Sequence, residues 1–281
     1  MSEYAATDAA SRLPYVGELH PSSRTAFVGL LLRDLAVLRK EFGTFIGRTV
    51  MQPLLFVFVF TYVFPKIGQG VGGAAGAARF STLLVPGVVA IACIFQGIQA
   101  VALPLVQDFG YSREIEDRVM APMPVWAVAF EKVVAGAIQG LVAALIVFPL
   151  ALFIPATPVH LTVTILELVT LLPLACFVGA GLGLVLGTRV QPRQVPLLFG
   201  IVVIPITFLG ATYYPWASLS AIPWLQTLVL VNPLVYMSEG MRAALTPEPH
   251  MALWAVYAGM VGFIGLFLGL GISGFRKRVL S

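Results

Sequence analysis

The chain reads as an all-α polytopic membrane helix bundle. It is expected to have six transmembrane helices, an N-terminal amphipathic interfacial helix and a re-entrant hairpin before the last span. Three observations predict this. Of the 281 residues, 59% are apolar and only 11% are charged, well under the quarter or so that soluble domains carry. Six apolar segments are long enough to cross about 30 Å of hydrocarbon at about 1.5 Å per residue. Lys and Arg gather on one side of those segments. So few charges could not cover a globule in water, and disorder would need low hydrophobicity and high charge.

Residues 1–21 form a polar tail. Glu3, Asp8 and Glu18 interrupt it and no apolar core of a cleavable signal is present, so the N-terminus is expected to stay in the cytoplasm. Residues 22–45 read as the interfacial helix. Ser22 and Ser23 offer a cap, and Phe27, Leu30, Leu31, Leu35, Leu38, Phe42 and Phe45 recur at three- and four-residue steps. Arg24, Arg33, Arg39 and Lys40 supply a basic side suited to an anionic leaflet. The transmembrane domain then occupies residues 46–281. Its spans are expected near 46–64, 83–106, 127–153, 161–186, 195–211 and 252–274, the fifth barely long enough. Pro53, Pro104, Pro149, Pro173 and Pro205 lie inside them, which bundled membrane helices tolerate. The connection Pro65–Arg79 is mostly Gly and Ala and reads as a flexible link.

Between the fifth and sixth spans, residues 213–245 break the pattern. The apolar run Ile222–Val231 is too short to span. Asn232 followed by Pro233 reads as an N-cap with proline at the first helical position, and Thr246-Pro247 stops the second short helix after Leu245. Two short helices facing each other predict the re-entrant hairpin.

With the N-terminus inside, all Lys and Arg except Lys66, Arg79 and Arg242 fall on cytoplasmic segments. This satisfies the positive-inside rule and puts both termini in the cytoplasm. The same bias accounts for the formal charge of +4 without nucleic acid.

Charge is densest between the second and third spans. Ser112 can cap a short helix in which Glu114/Arg118 and Arg113/Asp117 are i,i+4 pairs, and Ile115 and Val119 share a face. With Glu116, five charges fall within six positions before Pro122 and Pro124 end the element. One reading is a solvated turn stiffened by ion pairs; the other is a docking element for a cytoplasmic subunit. Elsewhere, Glu131 and Lys132 could pair at the interface, and Glu167 fits anchoring better than proton relay. His20, His160 and His250 all fall outside the spans, so no acid–base chain crosses the membrane. Gly179, Gly183 and Gly187 line one helix face, as do Gly136/Gly140 and Gly265/Gly269, which suits close helix packing within or between chains. Cys93 and Cys176 read as buried free thiols without a partner at ligand spacing. No lysine follows a glycine, so a P-loop is absent, and no catalytic constellation is evident.

These pieces resemble the permease subunits of type-2 ABC exporters, the family that exports drugs, lipids and polysaccharides. The resemblance rests on the N-terminal helix leading into Met51-Gln-Pro-Leu-Leu-Phe-Val-Phe and on Leu84-Val-Pro-Gly-Val. It rests also on the charged element before Ala121-Pro-Met-Pro and on the stretch from Asn232-Pro-Leu-Val-Tyr to Arg242. It implies a multi-pass protein of the plasma (inner) membrane that acts as a homodimer or heterodimer among membrane lipids. Two ABC ATPase subunits would bind ATP and Mg, with no cofactor in this chain and no enzymatic activity of its own. Ser112–Val119 would then be the coupling helix. Trp216, Asn232, Pro233, Glu239 and Arg242 would belong to an outer gate, with Glu239 and Arg242 paired to each other or to a migrating headgroup. The implied cargo is amphipathic, lipid-linked or hydrophobic; an ion-coupled secondary transporter is the alternative.

Overall fold

The computed structural model describes residues 22–67, 73–112 and 123–279, and within these every regular element is helical. Helix α1, Ser23–Lys40, is capped by Ser22, whose Oγ accepts from the Thr25 amide at 3.3 Å. Its predicted stripe of Phe27, Leu30, Leu31, Leu35 and Leu38 is half-buried, and Phe27 meets Phe130 with ring centroids 6.4 Å apart. Val28, Leu32 and Val37 stay exposed on the other side, so the helix is less cleanly two-faced than its sequence suggests. It also ends earlier than expected. Glu41 leaves the helical conformation, and Phe42 and Phe45 open the next helix.

Among the described residues, five helices are long and apolar enough to cross a membrane. They are α2 (Phe42–Lys66), α3 (Gly76–Gly110), α4 (Val125–Phe153), α5 (Ile165–Arg189) and, last in the chain, α9 (Leu253–Val279). The first turn of α3 begins at Gly73, so half of the expected Gly/Ala link is helical. Alanine is the best helix former, and four of them lie between Gly73 and Arg79. Helix α3 runs through the middle of the bundle and is mostly buried, whereas α2 and α9 are peripheral.

The fifth predicted segment differs most from expectation. It forms α6 in three pieces: Val195–Leu198, a π-helical turn Phe199–Val203, and Ile204–Phe208. Fourteen residues rise only about 21 Å, which is short of the hydrocarbon thickness. Proline explains the broken geometry. Three π-helical turns each end two residues before a proline: Phe58–Val63 before Pro65, Ile98–Ala102 before Pro104, and Phe199–Val203 before Pro205. Proline has no N–H for the carbonyl four residues back, and a π turn lets that carbonyl bond one residue further on.

After α6 come a 3₁₀ stretch Trp216–Ala221, then α7 (Pro223–Leu228) and α8 (Pro233–Leu245). Helix α8 does not chiefly face α7, as a simple hairpin would. It packs on α3, α5 and α9, with Leu234, Val235, Met237, Met241 and Leu245 fully buried. Trp224 and Leu228 of α7 remain exposed.

Glycine sets the closest approach in the molecule. A Cβ on Gly97 would overlap the backbone of Gly179 and Ala180, and one on Gly183 would overlap the Gly97 carbonyl. One on Gly187 would crowd Ala102 and Leu105 at about 3 Å. The stripe at 179, 183 and 187 therefore joins α5 to α3 within one chain, and Gly97 is its counterpart on α3. In a lipid solvent such contact is the main packing force, since hydrophobic transfer drives little helix association there. Cys93 and Cys176 meet across this seam with Sγ atoms 3.7 Å apart, so each has the other as a neighbour despite their separation in sequence. Gly265 and Gly269 make no such contact within the chain: a Cβ on either would meet nothing within 4 Å.

These surroundings separate two substitutions. Gly97→Ala should lower stability by about 1–3 kcal/mol through overpacking against backbone. Gly265→Ala should be neutral or stabilising by up to about 1 kcal/mol, because it replaces a helix-interior glycine where there is open space. Thermal unfolding in one detergent checks both; equal effects would contradict the seam.

Candidate functional site

Among the described residues, a polar constellation with a fully buried core gathers around α8. Asn232 caps it by accepting from the Leu234 amide at 2.9 Å, with Pro233 at the first helical position. The same side chain donates through Nδ2 to the Ile206 carbonyl at 2.7 Å, fastening the start of α8 to the end of α6. Three residues apart on one face stand Glu239 and Arg242, both fully buried.

Arg242 Nη1 donates to Glu239 Oε1. That oxygen also accepts from the Trp216 amide at 2.8 Å, while Oε2 accepts from the Met251 amide at 2.7 Å. Arg242 Nη2 donates to the Ala211 carbonyl at 2.9 Å and to the Tyr214 carbonyl at 3.4 Å. One ion pair thus ties together the turn after α6, the 3₁₀ stretch, α8 and the approach to α9. Ala211 has φ 53°, the left-handed region that costs a non-glycine residue roughly 1–2 kcal/mol. Its carbonyl is held by Arg242, so the pair also fixes a strained corner. The Trp216 indole donates to the Gln226 carbonyl at 3.1 Å, pinning α7 to the same unit.

Thr212, next to this corner, packs on Gly87 of α3 so closely that a Cβ there would overlap its carbonyl. Tyr213 sits among Phe56, Phe60 and Phe208, each with ring centroids about 6 Å away. Burial pushes its phenol up to about 12. At the same end, Arg79 and Glu248 form a forked ion pair, with Nη2 2.8 Å from Oε2. The last carbonyls of α8 are also satisfied: Leu245 and Ala244 accept from the Thr162 and Thr164 amides at 3.0 and 2.9 Å.

The other end of the bundle carries different contacts. Lys132 pairs with Asp34 of α1 at 2.7 Å rather than forming the expected ion pair with its neighbour Glu131. Successive helical residues point about 100° apart, whereas α1 lies directly over Lys132. Arg278 of α9 donates to the carbonyls of Gly187 and Val190 at 3.2 Å and lies 4.6 Å from the Phe109 ring centroid. It thereby supports both the C-terminus of α5 and the end of α3. The predicted docking residues Arg113, Glu114, Ile115, Glu116, Asp117, Arg118 and Val119 lie outside the described residues; Ser112 closes the π-helical turn Asp108–Ser112.

Of the hairpin residues, Trp216, Glu239 and Arg242 therefore meet in one hydrogen-bonded unit, while Asn232 and Pro233 open α8 and tie its start to α6 instead. Sequence reading missed Asp34, whose signal was its being the lone acid between Arg24 and Lys40. It missed Ala211 and Thr212 too, for which residue type gives no cue. A buried amide chain also went unread: Thr49 Oγ1 donates to Gln96 at 3.0 Å, and Gln96 Nε2 donates to Gln139 at 3.3 Å.

Glu239→Gln or Arg242→Met leaves the other side chain buried without its partner, which should cost about 3–5 kcal/mol. The double variant should lose clearly less than the sum, because no lone charge remains. Thermal unfolding of the three variants reads this; additive losses under about 1 kcal/mol each would contradict the assignment.

Comparison with known proteins follows the same architecture. A profile of the ABC-2 type transporter family matches residues 25–246, from α1 through the end of α8. The inner membrane transport permease YadH of Escherichia coli strain K12 is 28% identical over 225 residues, covering 78% of this chain and 84% of that protein. YadH of E. coli O157:H7 and of Shigella flexneri matches with the same identity and coverage. Together with the apolar helices, these matches make this a multi-pass inner-membrane protein. The chain belongs to the ABC-2 type transporter family and is the membrane permease subunit of an ABC transporter.

Proposed function

We propose that this permease works as an exporter. Two permease copies, identical or sister chains, join two ABC ATPase subunits that bind ATP and Mg, and move an amphipathic, lipid-linked or hydrophobic substrate out of the cytoplasm or inner leaflet. Helix α6 is the fifth of six spans in this reading, with Pro205 and its π turn making a short, irregular crossing. Both termini then lie in the cytoplasm, as the distribution of Lys and Arg favours. The end carrying Asp34, Lys132 and Arg278 faces the ATPases, and the Glu239–Arg242 unit faces outward as the gate.

The observation that carries the mechanism is the course of α3. At its cytoplasmic end it leads into the charged segment Ser112–Val119. Midway it is joined to α5 through Gly97, and ten residues nearer its outer end Gly87 touches Thr212 of the gate unit. Closure of the ATPases on Ser112–Val119 and α1 would displace α3 and α5 together, since their backbones are in direct contact. That motion reaches Thr212 and the carbonyls held by Arg242, where the gate opens between permeases. The π turn Ile98–Ala102 lies in the middle of α3, where the helix can flex. No relay of titratable groups crosses the described bundle, which favours ATP over a coupling ion as the energy source.

Reversing Glu114→Lys and Arg118→Glu separately should abolish substrate-stimulated ATPase activity and export in the reconstituted complex, while each permease still inserts normally. Wild-type stimulation and export in both variants would remove the coupling role.

A further inference from the structure

A cavity of about 410 Å³ opens at the α1 end between α1, α2, α3 and α4, within the size range of small-molecule sites. Its charges balance: Arg33, Arg48 and Lys132 against Asp34, Glu41 and Asp108. That composition does not favour a simple anion or cation. Lys132 is occupied by Asp34. Glu41 and Arg48 are both exposed, and neither has an ion-pair partner among the described residues.

Glu41 occupies the N-cap position of α2 and Arg48 stands seven residues on, about 10 Å further along its axis, and both line the cavity. Glu41 stands at the bend where α1 meets α2, and Arg48 lies deeper by two turns. Beyond Arg48 the lining turns to amides. Gln99 and Gln139 border the cavity, and their N–H₂ groups have no partner among the described residues. From the surface inward the order is carboxylate, guanidinium, neutral donors, then hydrocarbon. A membrane phospholipid with an amine headgroup presents the complementary order: ammonium, phosphate, ester carbonyls, then acyl chains. A free phosphate would use only Arg48 and leave Glu41 opposing it.

We infer that this cavity binds the headgroup of a zwitterionic, amine-bearing phospholipid, with Glu41 on the ammonium, Arg48 on the phosphate and the Gln99 and Gln139 amides on the ester carbonyls. The inference concerns a lipid bound from the surrounding leaflet, and it holds whichever way the transporter runs and whatever its cargo.

Native mass spectrometry of the purified full-length protein tests it, with phosphatidylethanolamine, phosphatidylglycerol and phosphatidylcholine of matched acyl chains titrated in mild detergent. The wild type should bind phosphatidylethanolamine roughly tenfold tighter than either other lipid, the effect of about one charge-assisted hydrogen bond. Glu41→Gln should bring phosphatidylethanolamine down to the level of phosphatidylglycerol, and Arg48→Gln should weaken both. Inorganic phosphate at millimolar concentration should displace none of them. Equal binding of the three lipids by the wild type overturns the inference without reference to any variant. So does a preference that survives Glu41→Gln, or displacement by phosphate.

Discussion

Burying a carboxylate beside a guanidinium is costly unless nearly every polar atom finds a partner. The segment between α6 and α9 is organised around meeting that demand. Glu239 uses both oxygens and accepts from Trp216, Met251 and Arg242. Arg242 directs its other terminal nitrogen to the Ala211 and Tyr214 carbonyls. Three chain segments with little regular structure of their own are thereby joined to α8 as one body. Buried amide groups of irregular backbone must be satisfied by protein, and here two side chains on α8 serve several of them.

That body rests on a second constraint, the glycine contact of α3 with α5. Helices in lipid associate through shape rather than through expulsion of water, so the residues that allow approach decide which pairs form. Gly97, Gly179 and Gly183 bring two backbones together, while α8 lies across both helices and Gly87 extends the contact to Thr212. The polar unit and the apolar seam are therefore mechanically continuous. The proposed lever depends on this continuity, with energy arriving at the end opposite the Glu239–Arg242 pair.

Much of this was legible in the sequence where the cause is local. Ser22 and Asn232 cap the helices their positions suggested, and Thr246-Pro247 ends α8, because capping depends on neighbours within four residues. Lengths of apolar runs gave the long helices for the same reason. Two departures come from local helix propensity that the lengths of apolar runs do not weigh. Gly73–Arg79 is helical since alanine outweighs glycine there, and α6 falls short because Pro205 and the π turn before it interrupt the helix. Pairings across the fold, such as Asp34 with Lys132, Cys93 with Cys176 and Gly97 with the 179–187 stripe, depend on which helices become neighbours. Hydropathy cannot choose among neighbours when every face is apolar.

If one carboxylate closes the gate unit and ATP-driven motion releases it, the amides bound to that carboxylate should report the release. Hydrogen–deuterium exchange on the assembled transporter, nucleotide-free and with ATP trapped by vanadate, tests this most directly. Trp216 and Met251 donate their amides to opposite oxygens of Glu239. Both amides should be protected without nucleotide and should lose protection together when ATP is trapped. Unchanged protection at both, or release of one while the other stays protected, would contradict a gate closed by Glu239.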